Sequence, residues 1–120
     1  LRKKNYKSLG GSYISSIRNG ARARHLEYDV TPKFLWELFD RQKGICALSG
    51  VQIELSDEWG NKKKNDRSQQ TASLDRIDSS KGYTEDNVQW VHKNVNNMKM
   101  QTSHQDFLNW CKLITEYNAA

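Results

Sequence analysis

The sequence predicts an α+β fold in which helices flank a small unit of strand, loop, strand and helix. Three observations predict it. Residues 72–99 change from strand-like to turn-like and then to helix-like patterns. Thr31-Pro32 upstream and Ser103 downstream are both typical of helix starts. We therefore expect residues 1–120 to form a single domain.

The first 26 residues predict a basic arm followed by a helix. Residues 1–11 are basic and end in two glycines, so we expect an extended arm. Residues 12–26 have helical spacing, and the side chains expected to face the core are Ile14, Ile17 and Ala21.

A second helix is predicted directly after a short strand over residues 27–30. Thr31 is a good N-cap, and Pro32 fits the first helical position. Gly44 is expected to end the helix. The residues of its buried stripe are Phe34, Leu35, Leu38 and Phe39. Beyond it we expect a tight turn at 45–50, a short strand at 51–55 and a long loop at 56–71.

Residues 72–99 hold the densest group of polar side chains. Ser73–Ile77 is typical of a short strand that ends on polar residues. Asn87–Val91 alternates polar and apolar residues, which predicts a second strand with one buried face. From His92 the spacing becomes helical, and the side chains expected on one side of that helix are His92, Asn96 and Lys99.

The last predicted element is a helix over residues 103–118 that packs on the sheet. Ser103 is a suitable N-cap, and Asp106 follows three residues later. We expect this packing helix to bury Phe107, Leu108, Cys111 and Ile114.

Charge is distributed unevenly along the chain. The net charge is +5, and residues 1–30 hold seven Lys or Arg residues against Glu27 and Asp29. A second basic cluster is formed by Lys62, Lys63, Lys64 and Arg67. Such a surface favours a polyanion, most simply nucleic acid, although a solvated basic tail would have the same composition.

Cys46 and Cys111 are the two cysteines of the chain. Counting alone permits a disulfide, but we interpret them as two buried, reduced thiols. No stretch has the length of a membrane helix and no signal peptide is visible, so we expect a cytoplasmic protein without membrane contact.

Residues 72–99 resemble the core of the HNH, or ββα-metal, nuclease family. Asp75 stands where the family keeps a metal-binding Asp at the end of a strand. Asn87 opens N-V-Q-W-V, which is similar to the family's N-L-x-W-V, and Asn96 follows nine residues later. Upstream, the segment 44–50 is similar to a G-x-C-x-x-[CS]-G turn that commonly precedes this core.

The resemblance implies a site for one divalent ion, Mg²⁺ or Mn²⁺. Asp75 and Asn96 would be its oxygen ligands, with Asn97 as an alternative to Asn96. Asn87 would hold the loop between the two strands. The alternatives are a salt bridge or turn cap for Asp75 and an exposed helix position for Asn96. No structural zinc is expected, because Ser49 stands where the zinc-binding turn has its second Cys.

One position departs from the family pattern. Arg76 replaces the His that usually serves as general base, and an Arg does not accept a proton at neutral pH. Two residues are candidates for the base, His92, which we prefer, and Asp78. Arg76 itself could bind the phosphate and stabilise the transition state.

The resemblance implies a metal-dependent endonuclease that cuts double-stranded DNA to 5′-phosphate and 3′-hydroxyl ends. The alternatives are an inactive DNA-binding module with the same fold and, less in keeping with the cysteines, a zinc-stabilised interaction domain. The sequence shows no dimer surface, so the oligomeric state stays open. The residues expected to contact DNA are Arg18, Arg22, Arg24, Lys62, Lys63, Lys64 and Lys99.

Overall fold

A computed structural model describes Leu9, residues 11–55 and residues 70–119. The predictions for the arm at 1–8, the loop at 56–69 and Lys62, Lys63 and Lys64 lie outside these residues. The α+β class is confirmed. In chain order the elements are α1 (Gly11–Ala23), β1 (Tyr28–Asp29), α2 (Pro32–Arg41), β2 (Ala72–Arg76), β3 (Tyr83–Thr84), β4 (Val88–His92), α3 (Lys93–Lys99) and α4 (His104–Asn118).

Strands β2 and β4 form an antiparallel pair, and α3 follows β4 without a connecting loop. In this pair Leu74 lies opposite Trp90 and Asp75 lies opposite Gln89. His92 ends the strand and caps the helix, because its Nδ1 accepts a hydrogen bond of 3.1 Å from the backbone N–H of Asn94. The predicted order of strand, loop, strand and helix is therefore confirmed.

Trp90 connects the helices to the strand pair. It is completely buried, and its indole N–H donates to the carbonyl of Leu35 in α2 at 2.8 Å. Its ring stacks on Tyr13 of α1 and meets Phe39 of α2 edge-on. Val91 beside it is also completely buried, so both faces of β4 are covered. The prediction that only one face of this strand is buried is therefore wrong.

The turn after α2 is attached to the end of β4. The sulfur of Cys46 accepts hydrogen bonds from the backbone N–H groups of Ser49 and His92, at 3.3 and 3.2 Å. Gln42, rather than Gly44, is the C-cap of α2. Its side-chain amide donates a hydrogen bond to the carbonyl of Trp90 and accepts one from the backbone N–H of Trp90. The strand expected at 51–55 is reduced to one bridge between Ile45 and Gln52.

A second pair of strands forms between β1, which lies within the strand predicted over residues 27–30, and β3, which was not predicted. The two run parallel, with Tyr28 opposite Tyr83. Gly82 lies so close to the backbone of Glu27 that no side chain fits between them. This pair joins the loop between β2 and β4 to the segment after α1.

The predicted packing of α4 is wrong, although the helix itself forms and Ser103 caps it. None of its described residues is buried, and the side chain of Ile114 is 59% exposed. Cys46 is buried as expected, whereas Cys111 is exposed, and neither is in a disulfide. Within the described residues, no helix combines the length and apolarity that crossing a membrane requires.

Candidate functional site

A cleft of about 530 Å³ opens where β2 ends beside α3. It brings together five of the residues singled out in the sequence: Arg24, Asp75, Arg76, Asn96 and Asn97. The other lining residues are Leu74, Ser79, Tyr83, Met100 and Gln101.

Asp75 is buried at the base of this cleft, and its two carboxylate oxygens differ. Oδ2 accepts hydrogen bonds from Lys99 Nζ at 2.8 Å and from Gln89 Nε2 at 2.9 Å. No described residue donates to Oδ1. The carboxylate is thus held through one oxygen, and the other remains available to a ligand in the cleft.

Asn96 is oriented by a similar contact. Its Nδ2 donates to Ser73 Oγ at 2.6 Å, and no described residue donates to its Oδ1. Ser73 and Asp75 share one face of β2, and Asn96 and Lys99 are one helical turn apart on α3. Two side-chain bonds, from Asn96 to Ser73 and from Lys99 to Asp75, therefore fix how the helix lies on the strand.

The oxygens of Asp75 and Asn96 that receive no hydrogen bond from a described residue have the chemistry of ligands for a hard divalent cation. A carboxylate and an amide oxygen are ligands of the kind that Mg²⁺ and Mn²⁺ take, with water completing the shell. Among the described residues, no group of three or more His, Cys, Asp or Glu side chains could hold a metal ion. An ion in this cleft would therefore depend on Asp75, Asn96 and water.

Lys99, which the sequence predicted to contact DNA, does not lie on the surface. Its side chain is completely buried, and its ammonium bonds Asp75 and the backbone carbonyls of Arg76 and Ile77, at 2.8 and 3.4 Å. Burial of an ammonium is costly without such partners. In this structure Lys99 neutralises Asp75 from beneath the cleft and presents no charge to a phosphate outside it.

Arg76 is at the rim of the cleft and shapes the loop that follows β2. Its Nη1 donates to the carbonyls of Ser79 and Lys81, at 2.6 and 2.8 Å. Its guanidinium also lies over the ring of Tyr83, 5.4 Å from the centroid. One edge of the guanidinium is thus used within the protein, and the residue still lines the cleft.

Neither candidate base lines the cleft. His92 uses Nδ1 to cap α3, so its other ring nitrogen, Nε2, carries the proton in the neutral state. Asp78 accepts hydrogen bonds from the hydroxyl and the backbone N–H of Ser80, and these lower the pKa of its carboxyl. A lowered pKa weakens a carboxylate as a proton acceptor. Both roles stay predictions.

Asn87 is buried within the loop between β2 and β4. Its Oδ1 accepts from the backbone N–H of Asp78 at 2.9 Å, and its Nδ2 donates to the carbonyls of Asp78 and Gly82, at 3.0 and 2.8 Å. All of its amide contacts thus hold the loop between β2 and β4, which begins directly after Arg76.

Sequence reasoning missed Tyr83 and Gln89 as parts of the site. Tyr83 lines the cleft, and its hydroxyl accepts a hydrogen bond of 3.4 Å from Arg24. Gln89 bonds Asp75 because the two face each other across the strand pair. The register of the hairpin was the signal that would have found Gln89. For Tyr83 no local signal exists, since its position depends on the pairing of β1 with β3.

The remaining predicted contacts lie on α1. Arg18 and Arg22 are exposed there, and Arg24 follows the helix and reaches the cleft. The N-terminal arginines thus extend from an open helix surface to the candidate site.

Comparison with family models and with curated proteins gives no match. Among solved structures, the chain is similar to the rare-cutting HNH restriction endonuclease PacI. The two share 14% sequence identity with a TM-score of 0.62, over 97% of this chain and 89% of that one. The similarity therefore supports an HNH-endonuclease-like fold for almost the whole chain.

Proposed function

We propose that this protein is a metal-dependent DNA endonuclease that hydrolyses phosphodiester bonds to 5′-phosphate and 3′-hydroxyl ends. The observation that carries the proposal is the cleft in which Asp75 and Asn96 each have one oxygen that accepts no hydrogen bond from the described part of the chain. The fold, which is shared with an HNH restriction endonuclease, supports the same reaction class. Double-stranded DNA is the proposed substrate.

Six residues in and beneath the cleft have a proposed part in the reaction. Asp75 and Asn96 hold one Mg²⁺ or Mn²⁺, which when bound supplies charge stabilisation at the phosphate and the departing 3′ oxygen. Lys99 and Gln89 keep the Asp75 carboxylate in one orientation. Arg76 and Arg24 bring positive charge to the edge of the cleft, where a phosphate would enter.

The reaction also needs a group that accepts a proton from the attacking water. His92 remains our preferred base, and it would have to give up its bond to Asn94 to act through Nδ1. Asp78 is the second candidate. Tyr83 is a further residue to test, because its titratable hydroxyl belongs to a side chain that lines the cleft.

The first experiment is plasmid cleavage with Mg²⁺, with Mn²⁺ and with EDTA. We expect cutting only with metal, and a rate lower by about 100-fold or more in Asp75→Asn and Asn96→Ala, because the charge stabilisation is lost. Asn97→Ala decides between the two candidate amide ligands, since Asn97 lines the same cleft one position along α3: the variant should cut normally if Asn96 is the ligand and lose activity if Asn97 is. Nicks that DNA ligase reseals directly would establish the 5′-phosphate and 3′-hydroxyl ends.

Three further variants, His92→Ala, Asp78→Ala and Tyr83→Phe, address the base. The one that removes the base should lower the rate and abolish its dependence on pH. His92→Ala also removes a helix cap, at a cost of about 1 kcal/mol, so its activity is read below its melting transition.

A DNA-binding module without catalysis is the second candidate. Two observations favour it: Lys99 already neutralises Asp75, and Arg76 stands where the family has its base. It predicts no cleavage with any divalent metal, together with gel retardation of DNA that Asp75→Asn leaves unchanged.

A further inference from the structure

Tyr83 contacts both arginines that line the cleft. The guanidinium of Arg76, at the end of β2, lies over its ring, 5.4 Å from the centroid. Its hydroxyl accepts a hydrogen bond of 3.4 Å from Nη2 of Arg24, the residue that follows α1. Tyr83 itself is only 8% exposed. One buried side chain thus lies between two positive charges that reach the cleft from separate elements.

The contacts of Arg76 leave one edge of its guanidinium available to a ligand. Nη1 donates to the carbonyls of Ser79 and Lys81, at 2.6 and 2.8 Å, and the tyrosine ring covers one face. Within the described residues, no group accepts a hydrogen bond from Nε or Nη2 of this side chain. These two nitrogens carry parallel N–H groups that match two oxygens of a phosphate. The protein therefore holds Arg76 in a geometry suited to binding a phosphodiester through two hydrogen bonds.

Tyr83 is fixed by its own neighbours and can therefore orient an arginine. Its backbone N–H donates to the carbonyl of Glu27 at 2.8 Å, within the parallel pair of β1 and β3. Its ring packs on Tyr28, with 5.9 Å between the two centroids. The preceding residue, Gly82, is held by Asn87, whose Nδ2 donates to its carbonyl at 2.8 Å. Because a long side chain loses rotamer freedom when it binds, a support that orders it in advance strengthens its contact with a ligand.

We propose that Tyr83 is a positioning residue, which holds Arg76 and Arg24 for the phosphate of DNA that enters the cleft; this rests on the function proposed above. The ring supports Arg76, and the hydroxyl orients Arg24. Tyr83 acts through these two side chains and exchanges no proton with the reacting atoms. Phenylalanine at this position would keep the contact with Arg76 only, and leucine would lose both contacts.

Tyr28 is the natural comparison for Tyr83. The two residues lie opposite each other in the same strand pair, and their rings are in contact. The hydroxyl of Tyr28 is buried and has no hydrogen-bond partner among the described residues. Tyr28 is also absent from the described residues that line the cleft. Tyr28→Phe therefore removes a hydroxyl from this strand pair without touching an arginine of the cleft, and it is the matched control for Tyr83→Phe.

DNA binding in EDTA tests the hydroxyl without any need for cleavage. Tyr83→Phe should lower the DNA association constant about 3-fold, the scale of a single hydrogen bond. Arg24→Gln should lower it further. The double variant should bind like Arg24→Gln alone, because the hydroxyl acts only through that arginine. Tyr28→Phe should bind DNA like wild type.

The ring is tested by the loss that Tyr83→Leu adds beyond Tyr83→Phe. This added loss should be about 3-fold while Arg76 is present, the scale of an exposed cation–π contact. It should disappear when both variants also carry Arg76→Gln, because the ring acts through that guanidinium. A purely structural role of the ring would give the same added loss with and without Arg76.

Cleavage separates positioning from proton transfer. With Mg²⁺, Tyr83→Phe should cut more slowly than wild type but with the same dependence of rate on pH. A rate that no longer depends on pH would make Tyr83 the base and overturn the positioning role. If the protein binds DNA without cutting it, the nuclease proposal fails while the binding measurements still decide on Tyr83. A protein that does not bind DNA would overturn both.

Thermal melts and circular dichroism of every variant control for folding, and binding is measured below each melting transition. Tyr83→Leu removes a buried ring, whereas Tyr83→Phe keeps it. The pair of Tyr83→Phe and Arg24→Gln therefore decides the matter even where Tyr83→Leu does not fold. Losses that multiply in this pair, or an added loss of the ring that persists with Arg76→Gln, would overturn the proposal.

Discussion

The ion pair between Lys99 and Asp75 is the most consequential contact at the scale of single residues. Both side chains are buried, and the two charges lie 2.8 Å apart. A buried pair adds little net stability, but removing one partner leaves the other buried without its counter-charge. The pair thus keeps the carboxylate in one orientation at the base of the cleft.

We predict that Lys99→Met lowers the free energy of unfolding by about 3 kcal/mol, because Asp75 is left unpaired. In the double variant with Asp75→Asn the loss should be clearly smaller than the sum of the single losses. Urea unfolding followed by circular dichroism measures all four proteins. Lys112→Met is the control, since its contact with Glu116 at 3.9 Å is exposed and contributes about 0.5 kcal/mol at most. Additive losses at Lys99 and Asp75 would contradict the coupling.

Single residues also show where sequence reasoning succeeds. Thr31 and Ser103 cap helices as predicted, because capping depends on neighbours within one turn. The burial of Lys99 was not predictable in the same way. Lysine is almost always exposed, and its partner Asp75 is 24 residues away in the chain.

At the scale of elements, the parallel pair of β1 and β3 ties the loop of the cleft to the rest of the protein. Gly82 makes this approach possible, since a Cβ at its position would lie 2.7 Å from the backbone nitrogen of Glu27. Tyr83 follows directly, donating its backbone N–H to the carbonyl of Glu27 at 2.8 Å, and it lines the cleft.

Gly82→Ala should therefore destabilise the protein by about 2 kcal/mol, because backbone must move to admit the methyl group. Gly20→Ala is the matched control. Its new Cβ meets nothing closer than the Arg24 side chain at 3.7 Å, and alanine should stabilise α1 by about 0.5–1 kcal/mol. Thermal melts of the two variants should shift in opposite directions. A melting temperature for Gly82→Ala equal to that of wild type would mean that the pair of β1 and β3 opens without cost.

Elements were predictable where their signals are local. Helices α1 and α2 and the strand pair of β2 and β4 all lie within a few residues of their expected bounds. The pairing of β1 with β3 joins residues 55 positions apart, and nothing in two such short strands specifies a partner. For α4, helical spacing predicts that an apolar face exists but not which surface covers it.

At the scale of the whole molecule, the first and last described helices differ in charge: α1 carries Arg18 and Arg22 and no acidic residue, whereas α4 has a formal charge of −1. Arg18 and Arg22 are exposed on α1, and Arg24 links that helix to the cleft. If DNA binds along this route, α1 contacts phosphates and α4 stays free of DNA. The two helices should then differ in how their charges affect binding.

Salt dependence distinguishes these surfaces. With EDTA present to prevent cleavage, the DNA association constant should fall steeply with salt, because phosphate contacts release counterions. Arg22→Gln should weaken binding on all DNA sequences and reduce the slope of log K against log salt by about 1. Lys112→Gln removes the same charge from α4 and should leave that slope unchanged, which excludes an effect of net charge alone. Equal slopes for the wild type and Arg22→Gln would place the DNA away from this part of α1, and cleavage would then have to depend on contacts elsewhere around the cleft.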